Sequence, residues 1–326
     1  MIPCAAVDEQ WTGSDSGSPL ASPNPLADDG RPATVDWFFM PELPEVETIA
    51  RGLDKRVAGD RIESLWLGSK PEPLKSPARQ IAETLDGKRI VHVRRIGKHI
   101  VFDLESDGVA RASSPAKKRR AKNKAGTATH AQWIVHLGMT GRMLVSDPKQ
   151  EVEKHTHAIA TLASGRELRF VDPRRFGRLS VTEGFEAPGS EPLELELERF
   201  VKLFKGRKTP IKSALLNQKL LSGVGNIYAD ESLFRAGIRP RRRAASLTHE
   251  ELRRLYLAVQ EVLKEAIDLG GSSISDYVDA DGEEGFFQLQ HRVYGREGEP
   301  CLVCKTPVKR VVIAGRSSHY CPKCQK

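Results

Sequence analysis

Met40-Pro41-Glu42-Leu43-Pro44-Glu45-Val46-Glu47-Thr48 stands at an abrupt change of composition in a chain of 326 residues. Beyond it, Val46, Ile49, Ala50, Leu53 and Val57 recur at helical spacing, which predicts a helix from Pro44 that stops at Gly59. A proline is tolerated in a first turn because its missing N–H would have had no partner there, and Glu45 and Glu47 suit the positive end of a helix dipole. The same stretch carries potential chemistry. As an internal residue Pro41 is an imide, inert at nitrogen. As a first residue it would be a secondary amine beside the Glu42 carboxyl, a nucleophile next to an acid.

Upstream, residues 1–39 are rich in Pro, Ser, Gly and Asp, have no periodicity, and hold six acidic residues against Arg31 alone. They read as a disordered extension outside the active protein. The chain's net charge is +8, so residues 40–326 carry +13, a balance that favours an anionic partner such as nucleic acid. No apolar run approaches the roughly 18–20 residues that span a bilayer. No basic segment precedes an apolar core at the amino end, so no secretory signal is read and a cytoplasmic location is expected.

Short strand-like runs follow the first helix at Ile62–Leu67, Ile90–Arg94, His99–Leu104, Gln132–Leu137, Arg142–Val145, Ala158–Leu162 and Leu168–Val171. Gly, Pro and Asp clusters punctuate them, as in an antiparallel sandwich or barrel. Seven Lys and Arg without an acid make 111–128 a basic loop insertion. After a linker at 184–193, helices are predicted at 194–205, 210–221, 225–236 and 249–269, the last opened by a Thr248–Glu251 capping box and closed by Gly270-Gly271. The expected organisation is α+β, with domains at 40–183, 194–298 and 299–326.

Cys301-x-x-Cys304 and Cys321-x-x-Cys324 have the spacing of a closed four-thiolate Zn²⁺ site, which is structural because no coordination position stays open. Val311–Ala314 and Ser317–Tyr320 suit a hairpin with Gly315 and Arg316 at its tip. Leu221-Ser222-Gly223-Val224-Gly225-Asn226-Ile227-Tyr228 places glycines before a helix, where backbone N–H groups can approach a phosphate. His136-Leu137-Gly138-Met139-Thr140-Gly141 and Asp172-Pro173-Arg174-Arg175-Phe176-Gly177 are turns that combine apolar and cationic groups able to wedge into a base stack.

These motifs, in this order with the opening octapeptide and the terminal cysteines, closely resemble the bacterial formamidopyrimidine-DNA glycosylase family over essentially all of residues 40–326. Leu43 favours this family over the related endonuclease VIII group, which opens Pro-Glu-Gly-Pro. The resemblance implies an N-terminal β-sandwich with flanking helices, a helix-two-turn-helix domain and a β-hairpin zinc finger holding one structural zinc. It implies a monomeric base-excision enzyme of the bacterial cytoplasm, associated with the nucleoid through DNA. Its partner would be double-stranded DNA containing oxidised bases, purines such as 8-oxoguanine and formamidopyrimidines above all, or abasic sites.

In such enzymes the amine matching Pro41 attacks C1′ of the damaged nucleotide and forms an iminium. Glu42 matches the acid that protonates the sugar oxygen and shuttles protons through β- and δ-elimination. Lys98 matches a phosphate-gripping lysine, and with Arg316 completes the expected catalytic set. Glu45 matches a second carboxylate at the site; His136, Lys212, Asn226 and Arg316 match backbone-contacting positions. Met139, Arg174 and Phe176 match the trio that fills the gap left by the extruded base, with Arg174 on the orphaned cytosine. Residues 270–290 overlie the base pocket in relatives and diverge here. Two other readings follow from the same residues: a glycosylase for oxidised pyrimidines, and, with residues 1–39 retained, a catalytically silent damaged-DNA-binding protein.

Overall fold

A computed structural model describes residues 40–106, 130–272 and 285–326. The extension 1–39 with Cys4, the basic insertion 111–128, and residues 273–284 of the divergent stretch lie outside the described residues.

Helix α1 (Leu43–Val57) forms as its periodicity predicts, and the Glu45 carboxylate accepts the Glu42 amide at 2.8 Å across the first turn. There follow β1 (Ile62–Leu67), α2 (Ala78–Leu85), β2 (Lys88–Ile96), β3 (His99–Ser106), β4 (Ala131–His136), β5 (Arg142–Ser146), β6 (Thr156–Leu162), β7 (Glu167–Val171) and β8 (Arg178–Thr182). They pair into two antiparallel four-stranded sheets, β1-β6-β7-β5 and β2-β3-β4-β8. Phe102, Trp133, Leu168, Phe170 and Leu179 from the two sheets meet Val46, Ile49 and Leu53 of α1 in one apolar core. The sequence pattern missed α2 and β8. Each contributes only two buried apolar residues, Ile81 and Leu85 in one and Leu179 and Val181 in the other, too few to establish a period.

The second half packs α3 (Leu197–Phe204), α4 (Ile211–Leu215), α5 (Asn226–Ala236) and α6 (His249–Asp268), and ends in a hairpin of β9 (Lys309–Ile313) and β10 (Arg316–Tyr320). Both bonds of the capping box on α6 are made, Glu251 N–H to Thr248 Oγ1 at 3.2 Å and Thr248 N–H to Glu251 Oε2 at 2.9 Å. Helix α4 is shorter than the expected 210–221. Asn217 turns the chain there: its carbonyl accepts Leu220 N–H and its side chain accepts Lys219 N–H, a local alternative that competes with helix propagation.

Helix α1 joins the halves. Its first apolar residue, Leu43, is buried in the helical core with Val224 and Ile227, whereas Val46 onward faces the sandwich. Gly223, at φ +92°, accepts Leu43 N–H at 3.1 Å, and a Cβ there would lie 2.9 Å from the leucine side chain. A second joint is ionic. Arg95, 6% exposed, reaches Glu47 on α1 at 2.7 Å and Glu191 of the connecting segment at 2.8 Å.

Truncating Leu43 to alanine is expected to cost about 2–5 kcal/mol, the range for a fully buried leucine. Urea unfolding should show a lower midpoint at unchanged slope.

Candidate active site

Glu42 precedes α1 and points at the start of α5. Asn226 N–H donates to Glu42 Oε1 at 2.6 Å, and a Cβ on Gly225 would fall 1.9 Å from the carboxyl carbon, so only glycine lets the helix start come this close. Glu42 Oε2 is buried with no hydrogen-bond partner among the described residues. Burial pushes the carboxyl up to about 7; Lys98 and the α5 amides pull it down, while Glu45 adds to the rise. A carboxyl with this value holds or releases a proton near neutrality, as a shuttling acid and base requires.

Glu45 is fully buried. One oxygen accepts Glu42 N–H, the other accepts the Tyr228 hydroxyl and Ser272 N–H at 2.9 Å. The carboxylate, expected as a second one at the site, is hydrogen-bonded inside the protein and ties α1 to α5 and to the backbone after α6. Burial pushes its carboxyl up as well, against the hydrogen bonds from Tyr228 and Ser272.

Lys98 sits in a two-residue hairpin loop between β2 and β3, preceded by Gly97 at φ +61°. A Cβ at Gly97 would lie 2.2 Å from Ser222 Oγ, so the loop abuts the glycine-rich turn before α5. Burial pushes the Lys98 ammonium down, and Glu42 and Glu45 hold it up. Met40, Glu42, Lys98, Asn226 and Arg316 line one cavity of about 260 Å³. Met40 and Arg316 also line a neighbouring cavity of about 640 Å³ with His136, Met139 and Phe176. Met40 and Arg316 thus border both the cavity at Glu42 and Lys98 and the one at Met139 and Phe176, whereas Pro41 and Arg174 line neither.

His136 ends β4. Burial, then His99, Lys98 and Arg178, push its imidazole down to about 3, so the ring is neutral. Gly138 N–H donates to Nδ1 at 3.0 Å, which leaves the proton on Nε2 as a hydrogen-bond donor. Phe176 is 52% exposed, with the Arg174 guanidinium 5.2 Å from its ring centre. Met139 is half-buried and Arg316 is exposed at the β9–β10 turn.

Lys212 is fully buried, its ammonium 2.7 Å from Asp230 and donating to the Ser317 carbonyl. Asp230 also accepts His319 N–H at 2.8 Å, and Asn226 Nδ2 donates to Ser317 Oγ at 3.2 Å. This network fixes β10, and with it the position of Arg316. The resemblance matched Lys212 to a backbone-contacting position; its partner Asp230 in α5 had no signal in the sequence.

The four cysteine sulfurs lie within 4.8 Å of one another, with Cys301–Cys324 at 3.9 Å and Cys304–Cys321 at 3.4 Å. A tetrahedron of Zn–S bonds of about 2.3 Å has edges of about 3.8 Å. The set fits one structural Zn²⁺, and Phe234, Val293 and Val308 pack beneath it.

A β-sandwich, a helical body and a four-cysteine hairpin converging on a buried glutamate are the build of a DNA base-excision enzyme. Family models match consecutively: the formamidopyrimidine-DNA glycosylase N-terminal domain at residues 40–179, its H2TH domain at 188–278, and a zinc finger found in FPG and IleRS at 298–326. The formamidopyrimidine-DNA glycosylase of Solibacter usitatus is 46% identical over 295 residues, covering 88% of this chain and all of the relative. The crystal structure of the Thermus thermophilus enzyme superposes with a TM-score of 0.71 at 41% identity, over 87% of this chain and 98% of that one. The Lactococcus lactis enzyme, solved with N7-benzyl-Fapy-dG DNA, gives 0.74 at 31% identity over 88% and 100%. The chain belongs to the formamidopyrimidine-DNA glycosylase family and is a DNA glycosylase with AP lyase activity.

A carboxyl raised in the folded state stabilises fully below its unfolded value and loses that contribution as pH rises through about 7. Glu42→Gln, neutral at every pH, should therefore raise the melting temperature relative to the parent at pH 8 and lose that advantage by pH 5. Thermal unfolding at the two pH values checks this.

Proposed function

We propose that the active form begins at Pro41 and that its amine attacks C1′ of an oxidised purine nucleotide. The observation that carries this is Glu42 Oε2, buried without a hydrogen-bond partner among the described residues, next in the chain to the residue whose nitrogen would be the nucleophile. Met40 lines the catalytic cavity, so its removal would give the amine direct access to that space. As the N–C1′ bond forms the N-glycosidic bond breaks, and the base departs with the proton that the secondary amine gives up. Glu42 in its protonated form gives a proton to the sugar ring oxygen, which opens the ring, and the amine nitrogen becomes a cationic iminium. The ionised carboxylate then takes protons in β- and δ-elimination, which expel the flanking phosphates.

Lys98, Arg316, Asn226 and the Nε2–H of neutral His136 are suited to hold phosphates around the lesion, contacts that position DNA without reading sequence. Met139, Arg174 and Phe176 would enter the space left by the extruded base, offsetting the few kcal/mol lost in unstacking. Arg174 would meet the orphaned cytosine. The zinc finger presents Arg316 from one side, and the α5 start presents Asn226 from another. We place the enzyme on bacterial nucleoid DNA in the cytoplasm. Among the described residues no helix is long and apolar enough to cross a membrane.

Two proteins test the reading, one beginning at Pro41 and one retaining residues 1–40, each mixed with an 8-oxoguanine duplex and borohydride. The Pro41 form should be trapped covalently on DNA, and the extended form should bind an abasic duplex without trapping or cleaving it. Failure of the Pro41 form to trap, or equal trapping by both, would contradict it.

A further inference from the structure

The three gap-filling side chains come from two separate loops, Met139 from the β4–β5 loop and Arg174 and Phe176 from the β7–β8 loop. Local turn chemistry in either loop does not fix one against the other. A buried carboxylate does. Asp172 is fully buried, and its Oδ1 accepts the Thr140 hydroxyl at 2.6 Å and Arg174 N–H at 3.2 Å. Its Oδ2 accepts Gly177 N–H at 2.7 Å. Arg174 N–H is shared with Thr140 Oγ1 at 3.3 Å.

Asp172 is itself held from behind. Its N–H donates to the His155 carbonyl at 2.9 Å, and its carbonyl meets His157 Nε2 at 2.9 Å. The loops also touch directly. Gly138 has φ +66°, and a Cβ there would lie 2.5 Å from the Phe176 carbonyl carbon. Arg175 takes φ +58°, a conformation uncommon outside glycine, and its guanidinium is tied to Glu72 at 2.9 Å. The loop is thus held at its base, its outer limb and its partner loop.

We infer that Asp172 and Thr140 form a clamp that sets Met139, Arg174 and Phe176 in one register, so that all three enter the DNA together. The clamp rests on the gap-filling reading of those three residues. Neither clamp residue touches the reacting atoms; both are positioning residues, and they act on extrusion and on the choice of the opposite base. With the clamp loosened, the loops must be ordered during insertion, and that cost falls on a base that has to be unstacked. A preformed abasic site has no base to extrude, so its cleavage is spared.

The test is Thr140→Val, which keeps the shape and removes the hydroxyl, with Thr140→Ser as the conservative control and Phe176→Ala as the probe of the underlying reading. All are made in the form beginning at Pro41. Under single turnover, Thr140→Val should excise 8-oxoguanine opposite cytosine about 10-fold more slowly, the scale of one lost buried hydrogen bond. It should cleave an abasic duplex within about twofold of the parent rate and discriminate less between cytosine and adenine opposite the lesion. Thr140→Ser should restore both. Parental excision by Thr140→Val, or equal slowing on both substrates, overturns the clamp. If Phe176→Ala is impaired in excision while Thr140→Val is not, the clamp alone fails. If Phe176→Ala excises at the parent rate, the gap-filling reading fails and the clamp with it.

Discussion

The Glu42 carboxyl is buried where the first turn of α1 meets the first turn of α5, one oxygen on the Asn226 amide and the other with no partner among the described residues. Burial disfavours its charged form, and Glu45 nearby adds to that. The amides at the α5 start and the Lys98 ammonium work in the opposite direction. The balance lies near neutrality because neither side dominates. A deeper pocket without the helix start would keep the group permanently protonated; an open one would keep it ionised. Only the intermediate case lets one carboxyl give and take protons within a single reaction.

That balance depends on bringing two separate cores together. Leu43 belongs to the helical core and Val46 to the sandwich, so the intervening turn of α1 is held from both sides. Gly223 and Gly225 permit the approach, since a side chain at either would strike Leu43 or Glu42. Glu45 adds the polar tie through Tyr228 and Ser272, and Arg95 bridges Glu47 to Glu191. The joint that unites the halves and the site that performs the chemistry are built from the same few residues. Substitutions there will therefore move stability and activity together. The zinc hairpin is aligned by the same helix: Asp230 holds Lys212 and His319, and Glu231 accepts the amides of Arg292, Val293 and Tyr294.

Much of this was legible from residues alone. The periodicity after Pro44, the Thr248–Glu251 cap and the Cys-x-x-Cys spacing each encode a local geometry, and each formed as written. The resemblance added which residue types converge. What it could not carry was burial. Lys212 matches a backbone-contacting position, and the burial of its ammonium against Asp230 of another helix has no local signal. Glu45 matches a second carboxylate at the site, but its hydrogen-bond donors Tyr228 and Ser272 lie far along the chain. Asp172 read as a turn former beside Pro173; that its carboxylate spans two loops is a tertiary fact with no local signature. Short elements such as α2 and β8 were missed for the complementary reason, since two inward residues do not make a pattern.

Desolvation against a helix start should make Glu42 titrate near neutrality. Carbon-13 NMR of the side-chain carboxyl, with Glu42 assigned by its loss in Glu42→Gln, measures this directly. The expected midpoint in the folded protein is about 7. A midpoint at the ordinary carboxylate value of about 4.3 would contradict it.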